Sequence, residues 1–334
     1  MSTKDTQTCC EKFKTMIGGQ ALIEGIMMRG PEKDAIVIRN GDDFTVECTP
    51  RKVRPKGSFL ALPFVRGCIN FFDAQVTGVR ALIRSADLTG DESQEEEPSK
   101  FDLWLEKKLG NERFQKAVIG FAVVLGLGLS IGLFFLLPMI VSGFLDRWID
   151  NLLILNLLEG IVRLTIFFGY MLLVSRMKEM RRVFAYHGAE HKTIRCYEAG
   201  LDLTVENVRK QTRLHPRCGT SFLLVIMVIS ILVFSIASSG LLALIPALEA
   251  IRGSFLFRFI MILFKLLLLP LVVSITYEIN RFAGRHDNLF TKILTAPGMW
   301  FQNFTTNEPD DFMIEVAITA VKAVLPEEEG ADRW

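Results

Sequence analysis

Residues 221–245, SFLLVIMVISILVFSIASSGLLALI, run 25 positions without a charged side chain. A bilayer core about 30 Å thick takes roughly 20 helical residues to cross. Three further stretches share this apolar character: 117–141, 153–175 and 255–277. The 334-residue chain is 50% hydrophobic, too apolar for an ordinary soluble protein of its size. The fold class that follows is an α-helical integral membrane protein with about four transmembrane helices.

The connections orient it. Residues 176–220, between the second and third spans, hold ten Lys or Arg against five acids, whereas the other two connections carry few basic residues (Arg147; Arg252). By the positive-inside rule the 176–220 loop is cytoplasmic, and with four spans both termini are too. Charges inside spans need partners, because each is costly in hydrocarbon. Glu159 and Arg163 lie four residues apart on one helix face, and Lys265 falls at similar depth on the fourth span. A Glu159–Lys265 or a Glu159–Arg163 pair is expected.

Outside the spans, residues 1–16 read as a disordered N-terminus without the apolar core of a secretory signal. Residues 17–86 read as a small α+β cytoplasmic unit. Ile36-Val37-Ile38 and Phe44-Thr45-Val46 flank Asn40-Gly41-Asp42-Asp43 as a hairpin, and 63–88 has helical apolar spacing. Glu24 and Arg29 are the charged residues of an apolar strand pair in 17–30. Residues 87–100 carry six acids and read as a linker, with the membrane domain covering 101–308. Residues 289–304 look interfacial, 309–325 form a C-terminal helix with acids in its first turn, and 326–334 are a tail. Six scattered cysteines fit reduced thiols, with acylation of Cys9 and Cys10 as an option. The net charge of +1 gives no reason to expect nucleic acid as a partner.

Chemistry concentrates in Tyr186-His187-Gly188-Ala189-Glu190-His191-Lys192, followed by Glu198 and by His215-Pro216-Arg217-Cys218-Gly219. A helix over 181–199 puts His187 and His191 on one face, where two imidazoles can share one ion, most simply zinc. H-x-x-E-H is the inverted order found in one class of zinc peptidases, with the glutamate polarising a metal-bound water. The third ligand is open among His215, Cys218 and Glu278. Glu198 lies about 10 Å along the axis from His191 at 1.5 Å per residue, too far to share the ion, so it is placed beside the ligands or on substrate. Lys192, Arg195 and Arg217 are candidates to hold a substrate phosphate or carboxylate. The bland alternative is a solvated interfacial helix whose histidines touch headgroups or each other.

IGGQALIEGIMMRGP, HGAEHKTIRCYEAG, HPRCGTSFL and TTNEPDDFMIEVAI, in that order between residues 17 and 325, resemble the YqhQ-like bacterial membrane proteins, a domain of unknown function (number 1385). The resemblance implies a multi-pass protein of the bacterial inner membrane, in a family often labelled predicted metal-dependent enzymes. The positions matching its motifs are Glu24, Arg29, His187, Glu190, His191, Glu198, His215, Arg217 and Cys218.

The functional expectation is a metal-dependent hydrolase at the cytoplasmic membrane face, with Glu190 as general base and Arg217 assisting. Its partners would be the lipid bilayer, a lipid-linked or peptide substrate, and a second copy of the chain. The competing reading is a non-catalytic scaffold or assembly factor with a structural metal, its basic loop binding anionic lipid, ribosomal RNA or a protein. A transporter is disfavoured by the few spans and the lack of a visible repeat.

Overall fold

The computed structural model describes residues 12–41, 43–51, 59–89, 111–145, 148–149, 151–328 and 330–333. Cys9, Cys10, Arg147 and the linker residues 90–100 lie outside them. The chain divides into two compact units, one of residues 1–90, 171–229 and 269–334, the other of 91–170 and 230–268.

The first unit is built on an antiparallel meander, β1 (Gly18–Leu22), β2 (Gly25–Arg29), β3 (Lys33–Asn40) and β4 (Asp43–Pro50), in that spatial order. The expected hairpin is β3–β4, with Asn40 facing Asp43. β2 reads GIMMR without polar alternation because both faces of the sheet are covered. Met27 and Ile36 face helix α1 (Val65–Thr89), packing with Leu22 and Ala81. Ile26, Met28, Ala35 and Val37 face two other helices, meeting Ala185 and Ala189, and Val316, Ala317 and Ala320.

The residues N-terminal to β1 are held in place from Lys12 onward. Lys12 N–H donates to the Glu198 carbonyl at 2.8 Å, and the Thr15 hydroxyl donates to Asp332 Oδ2 at 2.5 Å. Residues 12–16 and the tail around Asp332 therefore pair with each other, where a loose lead and a loose tail are expected from composition.

In the second unit, α2 (Asn111–Ile131) passes through one π-helical turn at Gly132–Leu136 into α3 (Leu137–Leu145). The chain moves between units within α4 (Leu152–Val174), α7 (Gly219–Leu244) and α8 (Phe255–Arg285). Among the described residues, four helices are long and apolar enough to span a membrane: Gly120–Leu145, Leu153–Val174, Gly219–Leu244 and Phe255–Arg285. Leu244, Phe255, Leu267 and Ile236 are largely exposed, as a lipid-facing surface requires. Both expected pairings of Glu159 occur together. Its carboxylate takes Arg163 at 2.8 Å and Lys265 at 2.7 Å, and all three side chains are buried. Arg163 Nε donates to the Phe134 carbonyl inside the π turn at 2.8 Å.

Between α4 and α7 come α5 (Lys178–Glu198) and the short α6 (Val205–Arg209); after α8 come α9 (Leu289–Thr305) and α10 (Asp311–Val324). Asn288 and Thr291 form a capping box on α9, and Asp310 Oδ1 accepts Met313 N–H at 2.8 Å to start α10.

Candidate metal centre

From Phe184 to Ile194, every residue of α5 except His187 is buried. A helix buried all round has no solvated face, which removes the headgroup contact of the interfacial alternative, although the two histidines do touch each other. Strands β1 and β2, α6 and α10 enclose it. The tightest approach is at Gly188, where a Cβ would fall on the Asn307 carbonyl oxygen. Asn307 in turn donates its N–H to the Phe184 carbonyl at 2.8 Å and its side-chain amide to the Arg181 carbonyl at 3.1 Å. The TTNEP segment, which starts at Thr305, the last residue of α9, thereby runs along α5.

His187 and His191 stand one turn apart, ring centroids 4.4 Å from each other. Each Nδ1 meets a backbone carbonyl: His187 that of Thr305 at 2.8 Å, His191 that of Arg213 at 2.6 Å. Nδ1 is then the protonated nitrogen and Nε2 the one left for an ion, the arrangement typical of metal-ligating histidines. His187 Nε2 lies 3.2 Å from Cys218 Sγ. His191 Nε2 is buried with no hydrogen-bond partner. One ligand atom from each of His187, His191 and Cys218 lies within 4.8 Å of the others. A tetrahedral zinc with bonds of about 2.0–2.3 Å keeps its ligands roughly 3.3–3.8 Å apart, so modest rotamer closure brings the trio onto one ion.

Glu190 lies near the group, close enough for its charge to be felt by both imidazoles and the thiol. Its Oε1 accepts the Gly19 N–H at 2.9 Å, and its Oε2 is buried without a partner. Gly19 is required there, since a Cβ would lie 3.0 Å from the Glu190 carboxyl carbon and 2.7 Å from the Met27 carbonyl oxygen. The orphaned nitrogen of His191 and the orphaned oxygen of Glu190 flank a thiol and a second imidazole, a donor set that fits a borderline-soft divalent ion such as zinc.

The electrostatics agree. Burial opposes charge on Cys218, yet His191 and His187 beside it hold its pKa well below the usual thiol range. Thr220, in the first turn of α7, adds its N–H to Sγ at 3.4 Å. Burial also opposes charge on His187, but the Cys218 thiolate and the Glu190 carboxylate raise its pKa to about 9. Burial pushes Glu190 up, against the pull of both imidazoles.

The remaining candidates lie elsewhere. His215, whose pKa is driven well below normal by burial and by Arg217, sits 5.6 Å from His191 ring to ring but turns Nε2 to Glu198 Oε2 at 3.2 Å. Glu278 is clasped by Arg66, Nε to Oε1 at 2.7 Å, and is not one of the ligand group. Depth along α8 suggested it; the side of the helix on which it lies decides against it. Of the three open choices for a third ligand, Cys218 alone has the position.

The basic candidates have partners within the protein. Lys192 is buried against Glu308 at 2.5 Å, Arg195 donates to the Leu214 carbonyl at 2.9 Å, and Arg217 pairs with Glu198. Glu198, fully buried, also accepts Thr15 N–H at 2.9 Å and so ties the N-terminal lead to the His215 loop. Glu24, at φ 51 in the β1–β2 turn, is bound by Arg182 at 2.5 Å, and Arg29 pairs with Asp34 and Asp73 at 3.3 Å each. These charges fasten the sheet and loops around α5. Two site residues were not among the candidates: Gly19, which lies inside the IGGQALIEGIMMRGP motif but acts through its backbone, and Gln302, which accepts His215 N–H and donates to the His215 carbonyl, both at 2.7 Å. A lone glutamine in the apolar 289–304 segment was the available signal.

Comparison with known proteins places this arrangement. Residues 62–327 match the family described as "Protein of unknown function (DUF1385)". The "Uncharacterized protein YqhQ" of Bacillus subtilis (strain 168) is 33% identical over 322 residues, which cover 94% of this chain and 93% of that protein. No solved structure matches. With His187, Glu190, His191 and Cys218 all inside the matched span, the chain belongs to the DUF1385 family.

Proposed function

We propose that this chain is a membrane-bound, metal-dependent hydrolase of the bacterial inner membrane, with both termini and the 176–220 loop cytoplasmic. The observation that carries the reading is the convergence of His187, His191 and Cys218 beside an unpartnered Glu190 oxygen, with both imidazoles held at Nδ1 by backbone carbonyls. A divalent ion, zinc by donor chemistry, would supply Lewis acidity and a water of near-neutral pKa.

The chain's own residues do the rest. Thr305 and Arg213 carbonyls orient the imidazoles, and the Gly19 N–H holds Glu190 Oε1, which leaves Oε2 without a protein partner. Glu190 Oε2 takes the proton of the attacking water and returns it to the leaving group. His187, the only member of the trio that keeps partial exposure, marks the side from which a substrate enters. A lipid-linked phosphate or a peptide near the bilayer suits a site at the start of α7. A purely structural site would be expected to close its fourth position, and His215, the available donor, is committed to Glu198. The three-ligand set therefore favours an enzyme over a scaffold.

The test is metal content of the purified full-length protein by mass spectrometry, for wild type and for His187→Ala, His191→Ala and Cys218→Ser. About one equivalent of a single metal, reduced in all three, supports the reading. No metal in folded wild type after zinc or manganese is added back sinks it.

A further inference from the structure

The second unit contains a cavity of about 70 Å³, several times the ~10–15 Å³ that a single water needs. Asn156, Glu159, Ser238, Arg252, Arg258 and Lys265 are among its lining residues. Its polar groups are unevenly matched. Among the described residues one carboxylate lines it, Glu159, and both its oxygens are taken, Oε1 by Arg163 and Oε2 by Lys265. The Asn156 oxygen is also used, by Lys265 at 3.3 Å. Left over are donors: Asn156 Nδ2 and Ser238 Oγ are buried with no partner, on side chains 8% and 1% exposed. Arg258 has only a long 3.4 Å bond to the Gly143 carbonyl.

The charges are uneven in the same sense. Among the described residues, Arg258 and Lys265 line the cavity with one carboxylate, Glu159, and that carboxylate is shared with a further cation, Arg163. Buried unpaired donors and an excess of positive charge in an apolar helix bundle are each costly. One occupant relieves both: an oxyanion with several acceptor oxygens.

We infer that this cavity binds a phosphate-class anion, with Arg258 and Lys265 supplying charge and Asn156 Nδ2 and Ser238 Oγ–H supplying directed hydrogen bonds. Arg258 lies about 5 Å and Lys265 about 15 Å into α8 at 1.5 Å per residue, so the cavity runs inward from the headgroup level. The anion is either the phosphodiester of a lipid headgroup or free phosphate. With the 176–220 loop inside, the lipid would come from the outer leaflet. The site is independent of the histidine cluster, and its failure would leave the hydrolase reading untouched.

The test uses the full-length protein in detergent, with three probes: phosphatidylglycerol, diacylglycerol lacking the phosphate, and inorganic phosphate against matched chloride. Native mass spectrometry counts retained lipid, and thermal unfolding reports phosphate. Retention of phosphatidylglycerol but not diacylglycerol identifies the headgroup. Stabilisation of delipidated protein by phosphate identifies the free anion. In either case Arg258→Gln and Ser238→Ala should weaken binding about tenfold or more, the usual worth of a hydrogen bond to a charged group. Ser238→Ala removes one hydroxyl and decides the matter if Arg258→Gln does not fold. Binding of neither probe, or undiminished binding in the folded variants, overturns the inference.

Discussion

Gly188→Ala isolates the packing that builds the histidine site. In an exposed helix interior this change would stabilise by about 1 kcal/mol, because alanine is the better helix former. At position 188 the new Cβ would meet the Asn307 carbonyl oxygen, a backbone atom that cannot rotate away. The 306–309 segment must therefore lift off α5. Overpacking of this kind costs about 1–3 kcal/mol. The two hydrogen bonds from Asn307 to Phe184 and Arg181 then lengthen or break, at a net of about 0.5–1.5 kcal/mol each. After the propensity gain, the expected loss is about 1–5 kcal/mol. Thr305, two residues before Asn307, holds His187 Nδ1, so zinc affinity should also fall, by about 10–100-fold if that carbonyl moves. Thermal unfolding and zinc titration of wild type and variant in the same detergent measure both. A variant that unfolds at or above the wild-type temperature would refute the packing argument.

Glu190→Gln keeps the acceptor for Gly19 N–H while removing a buried charge, so stability should hold or rise and metal content should persist; once a substrate is known, turnover should drop about 10²–10⁴-fold. A clear fall in unfolding temperature would contradict this account of Glu190. Glu198→Gln should be far more damaging, by about 3–5 kcal/mol, because Arg217 loses its buried counter-charge; denaturant unfolding reads it, and a near-neutral result would mean that Glu198 is not the hub described. Arg182→Ala breaks an ion pair whose arginine side chain is 50% exposed, so less than about 1 kcal/mol should be lost in the same assay. Zinc binding must displace the proton that His187 holds up to a pKa of about 9, so affinity should tighten about tenfold per pH unit from pH 7 and level off above 9; calorimetric titration showing a flat profile would refute the thiolate–imidazolium pair.

What the sequence disclosed and what it hid divide along a physical line. The spans were legible because crossing a bilayer depends on composition over about 20 residues, and the His187–His191 pair because helical spacing alone brings it together. The third ligand depends on where the 199–217 loop returns to α5. That path is set by Gln302 gripping both backbone groups of His215 and by the Arg213 guanidinium on Thr306, contacts about 90 residues apart in the chain. Glu278 looked plausible because its depth along α8 was countable and its azimuth was not. Counting the charges of the 176–220 loop yields an expected orientation, yet it could not show that Lys192 meets Glu308 or that Arg217 meets Glu198. Such partners remove the apparent substrate rim and make those cations part of the housing. Glu190 Oε2, buried and unpaired, belongs to a carboxylate whose other oxygen is held by a backbone N–H of β1. The N-terminal sheet is therefore a wall of the site rather than an appendage, and Gly19→Ala should disturb the position of Glu190 from a strand that carries none of the ligands.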